Sequence, residues 1–169
     1  MNILKEINAT ELTGNPFFMI GKEWMLITAK KGDRVNTMTA SWGGLGVMWN
    51  KNVSYAVLRP QRFTKEFIDQ ADSYSLTFFD ESYKKTLGYL GKVSGRDEDK
   101  INKSGLTLDY IDGIPYFKEA KQVLLCNKLF ASPFLEEHFV DKNIIPTMYP
   151  EKDFHTLYIG EVYKVVSSN

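Results

Sequence analysis

Short strand-like stretches without a regular strand–helix–strand rhythm constrain the fold of this chain most. Residues 53–58 (VSYAVL) alternate, with Val53, Tyr55 and Val57 on one face, which is typical of a β-strand. Further strand candidates are residues 24–29, 37–42, 74–79, 106–110, 121–129 and 155–166, and Gly160 in the last one predicts a bulge or bend. Short helices are indicated over residues 63–71, 82–90 and 97–103. This succession favours a barrel or sandwich, mainly β with short helices (α+β), over a parallel doubly wound sheet.

Charge and hydropathy exclude several classes of function. Lys plus Arg equals Asp plus Glu, so the basic excess of a nucleic-acid-binding protein is missing. No stretch reaches the ~20 apolar residues that cross a bilayer, and the N-terminal segment lacks the apolar run of a signal peptide. The single cysteine, Cys126, excludes an intrachain disulfide. We therefore predict one cytoplasmic domain, residues 1–169, with neither nucleic acid nor a membrane as a partner.

Common catalytic motifs are missing from the sequence. There is no phosphate loop, and residues 43–46 (GGLG) do not match the dinucleotide-binding fingerprint. No nucleophile elbow of the G-x-S-x-G type is present either. His138 and His155 have no partner at metal-ligand spacing, so a metal site would need a tertiary coincidence with Cys126. No metal is predicted.

Residues 59–64 (RPQRFT) indicate an anion site. Arg59, Arg62 and Lys65 surround the start of a helix predicted near Thr64. A helix N-terminus offers unpaired N–H groups and partial positive charge, and the Thr64 hydroxyl would cap the helix. Guanidinium groups bind phosphate at two points, so this segment can hold a phosphate monoester. The alternative is that the arginines are solvated or pair with the acidic residues of the helix.

Two other segments also have two interpretations. In residues 36–42 (NTMTASW), small and hydroxylated side chains would let a flat ring approach the backbone, whose N–H and C=O groups would read the ring edge. Alternatively, this is a plain strand end packed by Trp42. Residues 94–100 (SGRDEDK) are either a charged surface turn or a loop that brings Arg96 and Lys100 towards an anionic ligand.

Five strings in one order resemble the flavoredoxin branch of the flavin reductase-like family. They are NTMTASWG (residues 36–43), WNK (49–51), RPQRFT (59–64), SGRDEDK (94–100) and HTLYIGEV (155–162). The resemblance extends from about Met19 onward. It implies an FMN-binding split β-barrel with Greek-key topology, and a homodimer that holds FMN non-covalently near the subunit interface.

The resemblance also implies a set of site residues. In the first segment these are Asn36, Thr37, Met38, Thr39, Ala40, Ser41 and Trp42, the last four contacting the isoalloxazine through backbone groups. The phosphate contacts would be Arg59, Gln61, Arg62 and Thr64, and further phosphate or ribityl contacts would be Ser94, Arg96 and Lys100. His155 is the catalytic candidate and would line the nicotinamide or acceptor pocket; alternatively it only closes the final strand. Leu90 stands where several relatives have a cysteine, so no thiol role is expected there, and Cys126 is predicted to be buried packing.

The function that the resemblance implies is that of an oxidoreductase. NAD(P)H or a reduced protein partner would deliver electrons to FMN, which passes them to flavin or to another small-molecule or protein acceptor. One alternative is an FMN-binding electron-transfer protein without NAD(P)H oxidase activity of its own. Another is a non-redox protein that binds a different planar ligand.

Overall fold

Seven antiparallel strands form the barrel. The computed structural model describes residues 3–168, in which the barrel strands are β2 (Met25–Lys31), β3 (Arg34–Ala40), β4 (Gly43–Met48), β5 (Lys51–Leu58), β6 (Ser73–Phe78), β9 (Gln122–Pro133) and β10 (Thr156–Ser167). A short strand, β1 (Lys5–Ile7), pairs with β10, and β7 (Leu108–Ile111) and β8 (Ile114–Phe117) form a separate hairpin. The helices are α1 (Pro16–Phe18), α2 (Phe63–Gln70), α3 (Lys84–Lys92), α4 (Lys100–Ser104) and α5 (Ile144–Met148).

The strand order places a split in the barrel. Neighbours follow the order β3-β2-β6-β9-β10-β5-β4, so β3 and β4 are edge strands although they are consecutive in sequence. The connection from β5 to β6, which contains α2, passes over β10 and β9 as in a Greek key. The predicted split β-barrel is therefore confirmed. Within the described residues, no helix is long and apolar enough to cross a membrane.

Two hydrophobic cores lie on the two faces of the sheet. Ile27 and Leu124 face the barrel interior, where Phe67 of α2 also packs. Their neighbours Leu26 and Val123 face the opposite side, which α3, α4 and the β7–β8 hairpin cover. Because both faces are buried, β2 and β9 appear in the sequence as continuous apolar runs rather than as alternating ones.

Most of the predicted strands are confirmed, with shifted ends. β2 begins after Trp24, whose φ of 72° is outside the strand region. β3 ends at Ala40, so Ser41 and Trp42 lie outside it. β4 was missed, because its four-residue start, GGLG, resembles a loop. Gly43 has a φ of 139°, and a Cβ there would collide with the Tyr55 carbonyl, so this pairing requires glycine.

The helix predictions need two corrections. α2 begins at Phe63, with Arg62 in the N-cap position and without a side-chain cap, so Thr64 does not cap it. Instead the Thr64 Oγ1 accepts a hydrogen bond of 2.9 Å from the Asn36 amide. α4 begins only at Lys100, three residues later than predicted, because the Asp99 side chain accepts from the Asn102 N–H. Its C-cap is Gly105, which has a left-handed φ of 75°.

Gly160 lies where β10 crosses a buried polar cluster. The register between β10 and β9 shifts at Ile159 and Gly160, which confirms the predicted bulge. A Cβ at Gly160 would collide with the Tyr74 hydroxyl, which hydrogen-bonds Ser54 Oγ at 3.0 Å. Ser54 in turn donates to the Cys126 sulfur at 3.4 Å, and burial raises the pKa of that thiol to about 12. Cys126 is thus buried packing, as predicted.

Two glycine substitutions test this packing. Gly160→Ala is expected to lower the free energy of unfolding by about 1–3 kcal/mol, because the added methyl group displaces Tyr74 from a filled core. Gly88→Ala, in α3, is the control: a Cβ there meets nothing within 4 Å, so better helix propensity should raise the free energy of unfolding by about 0.5–1 kcal/mol. Urea denaturation measures both. Equal effects of the two substitutions would contradict the crowding at Gly160.

Candidate functional site

A cleft of about 320 Å³ opens beside the split of the barrel. Ser41 and Trp42 connect the two edge strands there, and β5 contributes its C-terminal end. The lining residues are Met38, Thr39, Ala40, Ser41, Trp42, Val57, Arg59, Gln61, Arg62 and His155. Except for Val57, all of them belong to the site predicted from the sequence. The fold therefore brings the ends of three distant segments into one cleft.

At the strand end beside the cleft, backbone N–H and C=O groups have no described hydrogen-bond partner and most side chains are small. Ser41 and Trp42 lie between two strand ladders, and no backbone hydrogen bond is described for either of them. Thr39 turns its hydroxyl away to the Leu87 carbonyl, and Gly91 packs so closely on Thr39 that a Cβ would lie 3.0 Å from its Cβ. Exposed N–H and C=O groups at this strand end can therefore pair with the polar edge of a flat ring.

Arg62, beside this strand end, and the neighbouring Lys100 carry positive charge that no described carboxylate neutralises. Arg62 donates to the carbonyl oxygens of Gly91 (3.0 Å) and Thr39 (3.3 Å), and the Lys100 Nζ donates to those of Leu90 and Val93 (2.8 Å each). Within residues 3–168, no salt bridge involves either cation, in contrast to Arg59 and Arg96. Except for that of Thr39, the carbonyls belong to the end of α3, where the helix dipole is negative, so they compensate the charge only in part.

Burial and neighbouring positive charge lower the pKa values of both cations. Burial, and then the nearby Arg59 guanidinium, lower the pKa of Arg62. Burial and then Arg62 lower the pKa of Lys100 to about 8. An anion bound beside Arg62 would relieve this repulsion. The Lys100 side chain itself lies behind the cleft, on a neighbouring groove of about 290 Å³ that Asn36 also lines.

Two other predicted cations have carboxylate partners. The Arg59 Nη1 lies 2.7 Å from the Asp153 Oδ2, and the Gln61 amide donates to the same oxygen at 2.7 Å. Arg96 pairs with Glu66. The alternative that the arginines of residues 59–64 pair with acidic residues of the helix does not hold for Arg59, whose partner Asp153 lies elsewhere. The acidic residues of the helix pair instead with Arg96 and with Lys65, whose Nζ lies 2.7 Å from Asp69. Asp153 was missed because it is 94 residues from Arg59 in the chain, and no spacing rule links them.

Several predicted residues lie outside the cleft wall. Asn36 and Thr64 are buried and bond to each other, which connects β3 to α2. Thr37 is buried with its hydroxyl 2.8 Å from that of Thr28. Ser94 accepts the backbone N–H of Arg96 at 3.2 Å. These residues support the structure around the site, and their contacts with a cofactor stay predictions.

His155 lies immediately before β10 and forms a wall of the cleft. Its Nδ1 is 2.7 Å from the Tyr149 hydroxyl, and its ring centroid is 5.2 Å from that of Trp42. Burial, and then the positive charge of Arg59, lower the pKa of His155 to about 4, so the imidazole is neutral at neutral pH. Tyr149 was not predicted as a site residue. In the described part of the chain, no three His, Cys, Asp or Glu side chains converge as metal ligands.

Replacing Lys100 tests the buried charge. The folded-state pKa of about 8 is below the unfolded value of about 10.4, so between them the unfolded chain holds a proton that the folded chain has lost. Lys100 should therefore contribute a rise in the free energy of unfolding from about pH 8 to about pH 10, while the raised pKa of Cys126 contributes in the opposite direction. Lys100→Met should make the change in the free energy of unfolding between these pH values less positive than in the wild type, as measured by urea denaturation at both.

Lys103→Met is the matched control for that measurement. Lys103 lies on the same helix but is exposed, and its hydrogen bond to Glu98 raises its pKa. Its replacement should leave the wild-type change in the free energy of unfolding between pH 8 and pH 10 intact. If Lys100→Met shows the same change as the wild type, the pKa of Lys100 is not lowered in the folded protein.

Comparisons with known proteins agree with this geometry. The solved FMN-binding domain of a flavin reductases-like enzyme from Shewanella baltica OS155 superposes with a TM-score of 0.72 at 18% identity, covering 99% of this chain and 78% of that one. Flavoredoxin from Methanosarcina acetivorans gives 0.68 at 22%, covering 86% and 68%. An FMN-binding protein from Thermus thermophilus gives 0.65 at 21%, covering 95% and 80%. At these identities the structures show a shared fold.

The sequence match to a family model goes further than the shared fold. No curated protein sequence matches this chain. The model of the flavin reductase like domain, however, matches residues 19–169, which is most of its length. This match begins where the sequence resemblance begins and includes every residue of the cleft. The chain therefore belongs to the flavin reductase-like domain family.

Proposed function

We propose that the cleft binds FMN non-covalently and that the chain is an FMN-dependent oxidoreductase. The observation that carries this proposal is Arg62, a cation that lines the cleft without a carboxylate partner among the described residues. Partly buried charge is costly unless a counter-charge compensates it. A phosphate group at Arg62 would supply that counter-charge, and the guanidinium would bind it through charge-assisted hydrogen bonds.

The strand end supports the same ligand. Ser41 and Trp42, for which no backbone hydrogen bond is described, line the cleft beside the small side chain of Ala40. This combination fits a flat, polar-edged ring better than a second charged group. A cation for a phosphate and backbone groups for a ring edge in one cleft fit FMN, and the FMN-binding proteins with this fold support that assignment.

Bound FMN would supply the redox chemistry, accepting electrons from a donor and passing them to an acceptor. The chain's own residues bind and orient the cofactor, and the positive charge of Arg62 stabilises negative charge. Because His155 is neutral, it contributes a hydrogen bond rather than a charge. We propose NAD(P)H or a reduced protein as the donor, and flavin or another small molecule or protein as the acceptor.

We also propose that the protein is a homodimer. Large apolar side chains are exposed around the turn between β4 and β5 and on the facing part of β9, among them Val47 at 70% and Trp49 at 55% exposure. The ring centroids of Trp49 and Phe130 are 6.4 Å apart, so these side chains form one patch. Exposed apolar patches of this kind mark interfaces. Sedimentation at the mass of a single 19.4 kDa chain would contradict the dimer.

Replacing Arg62 tests the cofactor assignment. Arg62→Ala should weaken FMN binding on the order of 10- to 100-fold, because one charge-assisted phosphate contact contributes about 1.5–3 kcal/mol. Riboflavin has no phosphate, so its affinity should change much less. Titration followed by flavin fluorescence measures both dissociation constants.

Arg96→Ala is the comparison variant, because Arg96 already has Glu66 as a partner and is half-exposed. Its loss should change FMN affinity by about fivefold or less, since exposed ion pairs contribute about 0–1 kcal/mol. Equal losses of FMN and riboflavin affinity in Arg62→Ala would show that Arg62 does not bind the phosphate. Absence of any flavin uptake by the wild-type protein would contradict the proposed function as a whole.

A carrier without NAD(P)H oxidase activity is the second candidate, because the chain lacks a dinucleotide-binding fingerprint. Anaerobic mixing of the FMN-loaded protein with NADH and with NADPH separates the two candidates. A reductase should lose the absorbance band of oxidised flavin within seconds to minutes with at least one nucleotide. If neither nucleotide bleaches the band while dithionite does, the protein is a carrier.

A further inference from the structure

We propose that Tyr149 is a positioning residue that fixes His155 in the tautomer with the proton on Nε2, so that the imidazole offers a neutral hydrogen-bond donor to the cleft. The ligand group that such a donor suits is an uncharged carbonyl oxygen, either of the bound flavin or of a co-substrate. This use of the donor rests on the proposed function. The tautomer itself rests only on contacts within the chain.

The hydrogen bond between Tyr149 and His155 determines the tautomer. The Tyr149 Oη is 2.7 Å from Nδ1, and both side chains are buried, with 3% and 7% exposure. If Nδ1 carried the proton and donated it, the phenol proton would need another acceptor. Within the described residues, the phenol contacts Nδ1 and the backbone N–H of His155, and that N–H is itself a donor. A buried donor left unpaired is costly, so the phenol donates and the proton of the neutral ring is on Nε2.

The surroundings of Tyr149 keep the phenol in place. The Phe154 ring lies 5.0 Å from it, the Phe139 ring lies 5.8 Å from it, and the guanidinium of Arg59 lies over its face at 4.8 Å. Arg59 also donates to the carbonyl of Met148, the preceding residue, at 2.8 Å. Because ring and backbone are both held, the hydroxyl has one direction in which to point.

The other ring nitrogen of His155 is available to a ligand. No described hydrogen bond uses Nε2, and Nε2 is not among the enclosed, unpaired atoms of residues 3–168. His155 lines the cleft next to Trp42. Burial disfavours the charged imidazolium most. Arg59 and Arg62 also disfavour it, and Asp153 favours it. The neutral ring therefore persists at neutral pH.

The first test observes the tautomer directly. Long-range ¹⁵N–¹H correlation spectra of the wild-type protein should show His155 with a protonated Nε2 and an unprotonated Nδ1 at neutral pH. Tyr149→Phe should change the ¹⁵N chemical shift of Nδ1 or produce a mixture of the two tautomers. Tyr163→Phe is the control. It removes the hydroxyl of a tyrosine on β10 that hydrogen-bonds Asp112, and it should leave the His155 signals unchanged. A wild-type spectrum with the proton on Nδ1 overturns the proposal, with or without FMN present.

The second test separates positioning from simple support of the fold. Tyr149→Phe should slow anaerobic reduction of the bound flavin by NADH or NADPH about fivefold, which is the effect of one neutral hydrogen bond. His155→Gln retains an N–H donor but has no tautomers, so adding Tyr149→Phe to it should cost no further rate. A full fivefold loss in that second background would mean that Tyr149 acts through the fold, and overturns the proposal. Failure of the chain to bind FMN would count against the proposed function only, since the spectra decide the tautomer.

Discussion

Arg62 connects α2, β3 and α3 beside the cleft. It occupies the N-cap position of α2, and its guanidinium donates to the carbonyl of Thr39 at the end of β3 and to that of Gly91 at the end of α3. Lys100, at the start of α4, binds the adjacent carbonyls of Leu90 and Val93. The end of α3 thus has its free carbonyl groups satisfied by cations, as the helix dipole favours. Any movement of α3 would uncover these charges, so the positive charge beside the cleft and the packing of the helix depend on each other.

The positively charged residues of the site divide into two groups with different tasks. Arg59 is neutralised by Asp153, and its remaining contacts hold the chain around Met148 and Tyr149. Arg62 and Lys100 have only backbone partners within the described residues, and of the two Arg62 lines the cleft, where its charge is available to an anion. The sequence alone makes these cations look alike. Their environments distinguish them, because a desolvated charge without a counter-ion attracts an anion more strongly than one that is already paired.

A barrel or sandwich was predictable from local patterns in the sequence, and the family resemblance specified the split barrel. The alternation in residues 53–58 and the apolar runs of β2 and β9 follow from which faces are buried, and Gly160 marks a real bulge. The missed or misplaced features depend on distant partners. Gly43 is needed because the Tyr55 carbonyl lies against it, and Thr64 turns to Asn36 instead of capping its own helix. Neither contact leaves a trace in the spacing of residues along the chain.

The largest omission is the connection between β9 and β10. Residues 134–155 have little strand or helix pattern, yet they supply His155 to one wall of the cleft, and Tyr149 and Asp153 hold His155 and Arg59 there. The opposite wall comes from the strand end and the start of α2, which is where a flavin would be held under the proposed function. Arg59 and Gln61 attach this connection to the barrel through Met148 and Asp153. The orientation of His155 therefore depends on the connection, whereas the strand end and Arg62 are held by the barrel and α3.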